Sequence, residues 1–249
     1  MTLGLMAIEQ GWWAHTAGRF GLVLAVTLVF AALGHLVRGV TRSGAVAGAI
    51  VCFALFAGAG PGGFAALLTV FALTWAATRF GLSRKQRSGT AERGEGRTAA
   101  QVLANIGVAA ACSVFYAAVG APVLLLAMVA ALAEAAADTV SSECGQALSG
   151  NARLITTFER VPAGTDGGIT LAGTLSGAVA ATLVSTVTVI AGILPSRRLS
   201  IVTLAGVLGM LIDSLLGALC ERWVGNDAVN FTGTAFAAVI AATFADLVS

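Results

Sequence analysis

The fold is decided by Thr98–Ala133 (TAAQVLANIGVAAACSVFYAAVGAPVLLLAMVAALA), which contains no charged residue, and by Glu134–Gly145 (EAAADTVSSECG), which follows it with three carboxylates. The first stretch is apolar enough to lie in lipid. In a helix, Glu134, Asp138 and Ser142 share one face because they are spaced four residues apart. Ionisable groups at membrane depth are costly and by default mark a functional site. The alternative is a buried pair of carboxylates satisfied by neighbouring hydroxyl groups.

The composition is that of an integral membrane protein and excludes an ordinary soluble domain. Hydrophobic residues make up 57% of the 249 residues and charged residues 10%, whereas soluble domains carry about 25% charged residues. The 31 glycines suit helices that pack closely through small residues. The four cysteines, at positions 52, 112, 144 and 220, form neither a CxxC pair nor a zinc-binding pattern. We therefore expect them to be small buried side chains.

The N-terminal residues 1–19 are expected to form an interfacial segment rather than a signal peptide. The first eighteen residues lack a basic start and contain Glu9, which is not typical of a secretory signal. Trp12 and Trp13 suit a position at the boundary between lipid and water.

The uncharged runs predict an all-α fold, a polytopic transmembrane bundle of about eight spans in one domain covering residues 1–249. The predicted spans are Phe20–Val37, two short spans within Ser43–Thr78, Ala99–Val119, Pro122 to about Ser142, Gly167–Leu194, Ser200–Cys220 and Ala228–Ala245. A glycine-rich turn at Gly58–Gly63 divides Ser43–Thr78; a re-entrant hairpin is the alternative. Residues 79–98 are predicted to be a basic loop, and residues 143–166 a second polar loop.

The distribution of Lys and Arg predicts which loops face the cytoplasm. When the loops alternate between the two sides of the membrane, eleven of these residues fall on one side. Three fall on the other: Arg19, Arg197 and Arg198. The positive-inside rule makes the more basic side cytoplasmic and places both termini outside. We therefore expect a multi-pass protein of the cell inner membrane, with its active face in the cytoplasm.

This topology brings carboxylates from separate spans to the cytoplasmic side. Asp138 and Glu143 lie at the end of the fifth span. Asp213 lies about two turns before the end of the seventh, and Asp227 opens the eighth. Because Mg²⁺ is usually held by one or two carboxylates together with substrate phosphates, the predicted metal ligands are Asp138, Asp213 and Asp227, with Glu143 as a fourth candidate. For Asp213 the alternative is a hydrogen bond to a neighbouring helix.

Two further features are suited to phosphate. Arg97 lies just before Gln101 and Asn105, and Arg binds phosphate through a bidentate fork. The alternative is a basic loop that only orients the chain and contacts anionic lipid. Gly164–Gly168 precedes the sixth span, and backbone N–H groups at a helix start bind anions. A helix cap within this loop is the alternative.

A weak internal echo relates spans five and six to spans seven and eight. Asp138-Thr139 and Asp213-Ser214 lie near the ends of two spans, and Asp166–Thr174 parallels Asn226–Thr234. We interpret these motifs as duplicated hairpins that face one cavity. Chance similarity in a sequence rich in Gly and Thr is the alternative.

Four motifs in this order resemble one polytopic membrane family, long catalogued only as domain of unknown function ninety-two. The motifs are Ala137–Gly145, Ile155–Gly168, Gly209–Ala218 and Asn226–Asn230, and the similarity covers roughly residues 20–248. The family includes plant phytyl-phosphate kinase. The resemblance therefore implies a membrane-embedded kinase that uses CTP or ATP to convert an isoprenyl monophosphate into its diphosphate.

The resemblance also implies roles for individual residues. Asp138, Glu143 and Asp213 are the implied catalytic residues and, with Asp227, would handle Mg²⁺ and nucleotide. Including the residues selected by position, the predicted nucleotide- and phosphate-binding set is Arg97, Asn105, Thr156, Thr157, Gly167, Gly168, Ser214, Asn226 and Asn230. The chain departs from the family pattern at Val140, where an aromatic residue is common, and at Cys220-Glu221, where Gln is frequent.

Two other functions compete with this interpretation. Intramembrane carboxylates beside glycine-broken helices also suit an ion-coupled transporter, although the predicted charges cluster toward one face only. A cytidylyltransferase acting on a lipid phosphate would need the same metal and the same cavity. The expected partners are an isoprenyl phosphate lipid, a nucleotide and membrane lipids, without nucleic acid; a homo-oligomer is left open.

Overall fold

The computed structural model describes residues 16–91, 94–149 and 151–245. Trp12, Trp13 and most of the predicted interfacial segment therefore lie outside the described residues. The helices are α1 (Thr16–Leu36), α2 (Arg42–Arg79), α3 (Leu82–Ser88), α4 (Ala99–Val119), α5 (Val123–Leu148), α6 (Leu171–Ile190), α7 (Leu199–Val224) and α8 (Asn226–Thr243). Between α5 and α6 lie the strands β1 (Asn151–Leu154), β2 (Arg160–Pro162) and β3 (Gly168–Ile169), and a 3₁₀ turn, Ser196–Arg198, precedes α7.

Six of the described helices are long and apolar enough to cross a membrane, namely α1, α2, α4, α5, α6 and α7. The eighteen-residue α8 packs against α4, α5 and α7. The fold is thus the all-α polytopic bundle that the uncharged runs predict. The four cysteines are free; Cys52 is buried, as expected, whereas the other three are half-buried.

The long helix α2 folds back on itself. Gly60, with φ 69° and ψ −163°, interrupts it. A Cβ atom added to Gly63 would stand 2.6 Å from the carbonyl oxygen of Leu55, whereas residues eight apart in a straight helix are separated by about 12 Å. At the open end of this hairpin the Arg79 guanidinium donates to the Val37 carbonyl oxygen at 2.6 Å. The predicted tight turn within Ser43–Thr78 is therefore confirmed, and counting both halves of α2 gives eight antiparallel segments in the described part of the chain.

Helix α5 is the centre of the bundle. Of its most apolar stretch 78% is buried, against 17% for α1, and it packs against α2, α4, α6, α7 and α8. Glycines of its neighbours permit this approach. A Cβ atom on Gly177 would lie 2.7 Å from the Ala137 carbonyl oxygen, and one on Gly206 would lie 2.9 Å from the Ala133 Cβ. Because small residues let helix backbones approach closely, this sequence can surround α5 on most of its sides.

One end of the bundle, here called the polar end, is where α1, α5 and α7 end and where α4, α6 and α8 begin. The Arg97 amide donates to the Gly39 carbonyl oxygen at 3.0 Å and ties the start of α4 to the turn after α1. Thr98 and Gln101 form a capping box that fixes the first turn of α4. The Thr170 hydroxyl caps α6 by accepting from the Gly173 amide at 2.9 Å.

The structure corrects the predicted bounds of the polar loops. Helix α5 continues to Leu148 rather than ending near Ser142, and α7 continues to Val224, which leaves Gly225 as the link to α8. Residues 151–169 form an antiparallel sheet of order β2-β1-β3, and the basic loop 79–98 contains α3. The reason is that polar side chains near these helix ends line an interior cavity. A helix can therefore continue beyond the point where its apolar sequence stops.

Candidate functional site

A polar cavity of about 240 Å³ lies at the polar end of the bundle. It is bordered by the start of α4, the last turns of α5 and α7, the starts of α6 and α8, and the loop before β3. Its lining contains five carboxylates, which are Asp138, Glu143, Asp166, Asp213 and Glu221. The sequence therefore brings acidic residues from separate helices to one place, as predicted.

Asp138 of α5 and Asp213 of α7, here called the acid pair, form the centre of this cavity. Both side chains line this cavity and are close enough to interact electrostatically. Asp138 precedes the end of α5 by ten residues and Asp213 precedes the end of α7 by eleven, so both lie about 15 Å below the helix ends. Asp213 is buried and Asp138 is half-buried. Two carboxylates from different helices thus face one polar cavity, well inside the ends of their helices.

Two asparagines connect Asp213 to α4. When the Asn230 amide is oriented to suit its neighbours, its nitrogen donates to Asp213 Oδ2 at 3.3 Å and its oxygen accepts from Asn105 Nδ2 at 3.2 Å. Asn105 also donates to the Gln101 carbonyl oxygen at 2.8 Å. The predicted site residues Asn105 and Asn230 therefore lie in one hydrogen-bonded chain with the acid pair, which fixes the Asp213 carboxylate.

Arg97 supplies the positive charge of the cavity. Among the described residues that line it, Arg97 is the only Lys or Arg. Its guanidinium donates to Thr139 Oγ1 at 3.2 Å and lies in the electrostatic neighbourhood of Asp138. A guanidinium beside carboxylates can bind a phosphate group together with a cation held by those carboxylates. The structure thus places Arg97, among the basic residues of the loop, next to the acid pair.

Glu143 has a partner that sequence reasoning missed. The Lys85 ammonium group is fully buried. It donates to Glu143 Oε2, to the Ala77 carbonyl oxygen at 3.2 Å and to the Thr78 carbonyl oxygen at 2.7 Å. From the sequence, Lys85 is only one of the charges in the basic loop 79–98. A signal was present, since Lys85 is the single lysine of the chain and Arg and Lys are not interchangeable.

Glu134 lies deeper than the acid pair. It is 1% exposed, and its Oε1 atom has no hydrogen-bond partner among the described residues. A Cβ atom on Gly209 would stand 2.6 Å from Glu134 Cγ, and one on Gly233 would stand 2.7 Å from Oε1. Glu134 is the first of the three carboxylates in the stretch Glu134–Gly145, and the sequence alone assigns it no role. The structure shows that two glycines of neighbouring helices make room for it.

The other predicted site residues divide into two groups. Four of them line the cavity, which are Gly167, Gly168, Ser214 and Asn226. Thr156 and Thr157 do not line the cavity. They occupy the exposed turn between β1 and β2. Asp227, in the first turn of α8, does not line the cavity either. Two lining carboxylates to which the sequence assigns no role, Asp166 and Glu221, come from the loop before β3 and from the last turn of α7.

The cavity suits Mg²⁺ as part of a metal–phosphate complex rather than as an isolated ion. No group of three or more His, Cys, Asp or Glu side chains placed to hold a metal occurs in the described part of the chain. The predicted four-carboxylate set is therefore not gathered as a cage. Asp138 and Asp213 are adjacent, however, and two carboxylates completed by substrate phosphates and water are the usual ligands of Mg²⁺. The residues present fit the ion in that form.

Comparison with known proteins gives the family. Residues 25–238 match the family described as Integral membrane protein DUF92. No solved structure matches the chain. The matched residues include α2 through most of α8, so the polar cavity lies within the part that the family shares.

Three relatives illustrate the range of the similarity. The chain is 34% identical over 231 residues to an uncharacterized membrane protein of Methanocaldococcus jannaschii, covering 91% of this chain and 94% of that protein. It is 29% identical over 217 residues to "Protein VTE6, chloroplastic" of Arabidopsis thaliana, covering 83% of this chain and 65% of that protein. It is 32% identical over 238 residues to "Protein PGR" of the same plant, covering 83% and 81%. With the family match across most of its length, the chain belongs to the DUF92 family of integral membrane proteins.

Proposed function

We propose that this protein is a membrane-embedded kinase that transfers a phosphoryl group from CTP or ATP to an isoprenyl monophosphate, giving the diphosphate. The observation that carries the proposal is the pair Asp138 and Asp213, held side by side in a polar cavity with Arg97 beside them. Family membership adds support, because the family whose four sequence motifs this chain resembles includes a phytyl-phosphate kinase. The same pair would hold Mg²⁺, which when bound neutralises phosphate charge.

The reaction needs little covalent help from the protein. Phosphoryl transfer depends mainly on positioning and on neutralisation of charge, and the acceptor here is already an anionic phosphate oxygen. That oxygen attacks the terminal phosphorus of the nucleoside triphosphate, the bond to the bridging oxygen breaks, and the nucleoside diphosphate leaves. No strong general base is required, which agrees with a lining of carboxylates and amides without His among the described residues.

Each part of the cavity then has a task. Arg97 holds the acceptor phosphate through its guanidinium. The Asn105–Asn230–Asp213 chain keeps the Asp213 carboxylate oriented. The starts of α6 and α8 border the cavity through Thr170 and Asn226, and free backbone N–H groups at helix starts favour the nucleotide phosphates.

The depth of the acid pair suits a lipid acceptor. Asp138 and Asp213 lie about 15 Å below the ends of their helices, so a phosphate attached to a lipid reaches them from within the bilayer. A water-soluble nucleotide reaches them from the polar end. The excess of Lys and Arg at this end supports a cytoplasmic position for it by the positive-inside rule, and nucleoside triphosphates are found in the cytoplasm.

The test is a product assay on the purified protein. Incubation with Mg²⁺, ATP or CTP and geranyl or farnesyl monophosphate is expected to yield the prenyl diphosphate and a nucleoside diphosphate, identified by mass spectrometry. A nucleotide-linked lipid with release of pyrophosphate would instead identify a cytidylyltransferase. Unchanged substrate moved across vesicles in response to an ion gradient would identify a transporter. Either result would overturn the kinase assignment.

A further inference from the structure

A second cavity, of about 100 Å³, lies between α1, the α2 hairpin and α4, and its character is apolar. Phe30 of α1, Leu67 and Phe71 of α2, and Val102 and Ile106 of α4 are among the residues that line it. The acidic side chains of the polar cavity take no part in this lining. A cavity of this kind favours a hydrocarbon group over a polar one.

The apolar cavity and the polar cavity meet at the start of α4. Arg97, Gln101 and Asn105 line both. Gln101 and Asn105 lie on one face of the first two turns of α4, because they are spaced four apart, and Arg97 directly precedes the helix cap Thr98. A ligand that occupies both cavities would therefore have its polar group at Arg97 and an apolar chain on the other side. The positive charge of Arg97 and the apolar lining of the second cavity together suit a ligand with an anionic head and a hydrocarbon tail.

The volume limits how much of a tail the cavity can hold. A cavity of roughly 150 Å³ accommodates the six carbons of benzene, so by proportion about 100 Å³ holds about four carbons. That is close to the size of one five-carbon isoprene unit and well below the size of two. The remainder of a longer chain has to leave the cavity.

Helix α1 shows where the rest of the chain would go. It packs mainly against α2, and many of its large apolar side chains are exposed, including Leu28, Val29 and Leu33 at more than half of their surface. The side of α1 that borders the cavity contains Phe30, Ala31 and Gly34. A tail that passes α1 therefore enters the surrounding hydrocarbon directly.

We infer that this apolar cavity binds the first isoprene unit of the acceptor lipid, next to its phosphate, while the rest of the tail lies in the bilayer. The inference rests on the proposed function for the identity of the lipid head. It adds the site at which the protein recognises the lipid tail. The protein selects the size and shape of the first five-carbon unit. It tolerates different numbers of units beyond it.

The first test fills the cavity. Gly48 lines it, and a Cβ atom at this position would have no atom within 4 Å, so Gly48→Leu projects a side chain into open space. We expect the KM for geranyl monophosphate to rise at least about tenfold, as pocket-filling changes do, while the KM for the nucleotide stays constant. Gly107→Leu is the matched control. Gly107 is also a helical glycine with open space around it, but it does not line either cavity.

An unchanged KM for geranyl monophosphate in correctly folded Gly48→Leu would overturn the inference. So would a KM that rises or falls steadily from geranyl to farnesyl to geranylgeranyl monophosphate in the native protein. Similar KM values for the three lipids, combined with a raised KM for geranyl monophosphate in Gly48→Leu, would support it. Thermal unfolding of both variants verifies that they fold.

The second test does not need catalysis. Native protein in vesicles is irradiated with a prenyl monophosphate that carries a diazirine in its first isoprene unit, and the labelled peptides are mapped by mass spectrometry. Label is expected on α1, α2 and α4, in particular near Phe71 and Trp75. Label on α6 or α7 together with normal diphosphate formation would overturn the tail site and leave the kinase intact. Neither label nor diphosphate would overturn both.

Discussion

The two helical hairpins α5–α6 and α7–α8 each contribute one carboxylate to the acid pair. They differ in the link between their helices and in the residues that surround the pair. Asp138 and Asp213 occupy matching depths in α5 and α7. The following helices present Gly173 and Gly233 toward the first helix of each hairpin, since a Cβ atom would lie 2.6 Å from the Ser141 carbonyl oxygen and 3.2 Å from Asp213 Oδ2, respectively. The internal echo in the sequence thus corresponds to similar local packing in both hairpins.

The links between the helices differ. A sheet and two turns, residues 149–170, join α5 to α6, whereas Gly225 alone joins α7 to α8. The long link places Asp166, Gly167 and Gly168 on the cavity. A Cβ atom on Gly167 would be 2.4 Å from the Ala218 Cβ, so this loop is pressed closely against α7. The acid pair is therefore a property of the helices, while the cover of the cavity comes from one hairpin only.

The deep carboxylate of Glu134 is a second difference between the two hairpins. Glu134 lies four residues before Asp138, and the residue four before Asp213 is Gly209. These two residues touch, because a Cβ atom on Gly209 would stand 2.6 Å from Glu134 Cγ. One hairpin thus carries a side chain that the other accommodates. The comparison predicts shared effects at the acid pair and different effects elsewhere.

The largest effect is expected at the acid pair. Asp138→Asn and Asp213→Asn should each lower kcat/KM by about 10³-fold, because removal of one charge-stabilising group in a closed site costs on this scale. The double variant should lose little more, since groups that act as a unit are not additive. Initial rates of prenyl diphosphate formation measure this.

Two controls accompany that experiment. Glu159→Gln, in the exposed turn before β2, should leave activity unchanged. Asp227→Asn should also be nearly silent, because Asp227 lies outside the cavity. Strong loss in Asp227→Asn, or equal activity in the Asp213 variant and the native protein, would contradict the cavity as the place of reaction.

The next effect concerns the buried ion pair that supports α5. Lys85→Met should destabilise the protein by about 3–5 kcal/mol, because it leaves the Glu143 carboxylate buried without its ammonium partner. Urea unfolding in detergent, followed by circular dichroism, measures the change. The double variant Lys85→Met with Glu143→Met should recover most of this stability, since replacing both partners by apolar side chains is often neutral.

The activity of the double variant also decides the role of Glu143. If the Glu143 carboxylate serves mainly as the partner of Lys85, the double variant keeps most of the native activity. Loss of activity in a protein of normal stability would return Glu143 to the metal ligands that the sequence predicted.

A smaller effect distinguishes the two hairpins. Gly177→Ala should destabilise the protein by about 1–3 kcal/mol, because its methyl group would stand 2.5 Å from Met210 Sδ and 2.7 Å from the Ala137 carbonyl oxygen. Gly233→Ala should have a similar effect on stability but should also lower activity, because its methyl group meets Glu134 Oε1 and lies near Asp213. Gly107→Ala is the control, and it should stabilise α4 slightly because alanine favours helices over glycine. Equal activity in the three variants would show that the acid pair tolerates displacement.

Much of this fold could be predicted because lipid imposes simple rules. Uncharged runs define spans, and a glycine cluster at Gly58–Gly63 marks a reversal that the structure places at Gly60. The acid pair could be predicted for the same reason. A carboxylate such as Asp138 or Asp213 is too costly in an apolar helix to be there without a partner or a task.

What could not be predicted depends on contacts between distant residues. The ion pair of Lys85 with Glu143 joins residues from two elements. That Lys85 is the single lysine of the chain marks it as unusual, but no pattern in the neighbouring residues indicates its burial or its partner. The bounds of α5 and α7 were wrong because Glu143 and Glu221 look like loop residues in sequence, whereas in the bundle they line a polar cavity. The sheet at residues 151–169 has strands of two to four residues, too short for an alternating pattern to be recognised.

The smallest effect is expected at Thr156 and Thr157, where sequence and structure disagree. Family resemblance assigns both to phosphate or base contacts, but the structure places them in the exposed β1–β2 turn, where the Thr157 hydroxyl accepts from the Glu159 amide at 3.4 Å. Thr156→Ala and Thr157→Ala should therefore change the nucleotide KM by less than about threefold, the scale of losing one weak, solvent-exposed hydrogen bond. The contrasting variant is Thr170→Ala, since Thr170 lines the cavity and caps α6. If the Thr156 or Thr157 variant raises the nucleotide KM more than Thr170→Ala does, this turn must close over the bound nucleotide, and the long α5–α6 link is then a moving cover rather than a fixed one.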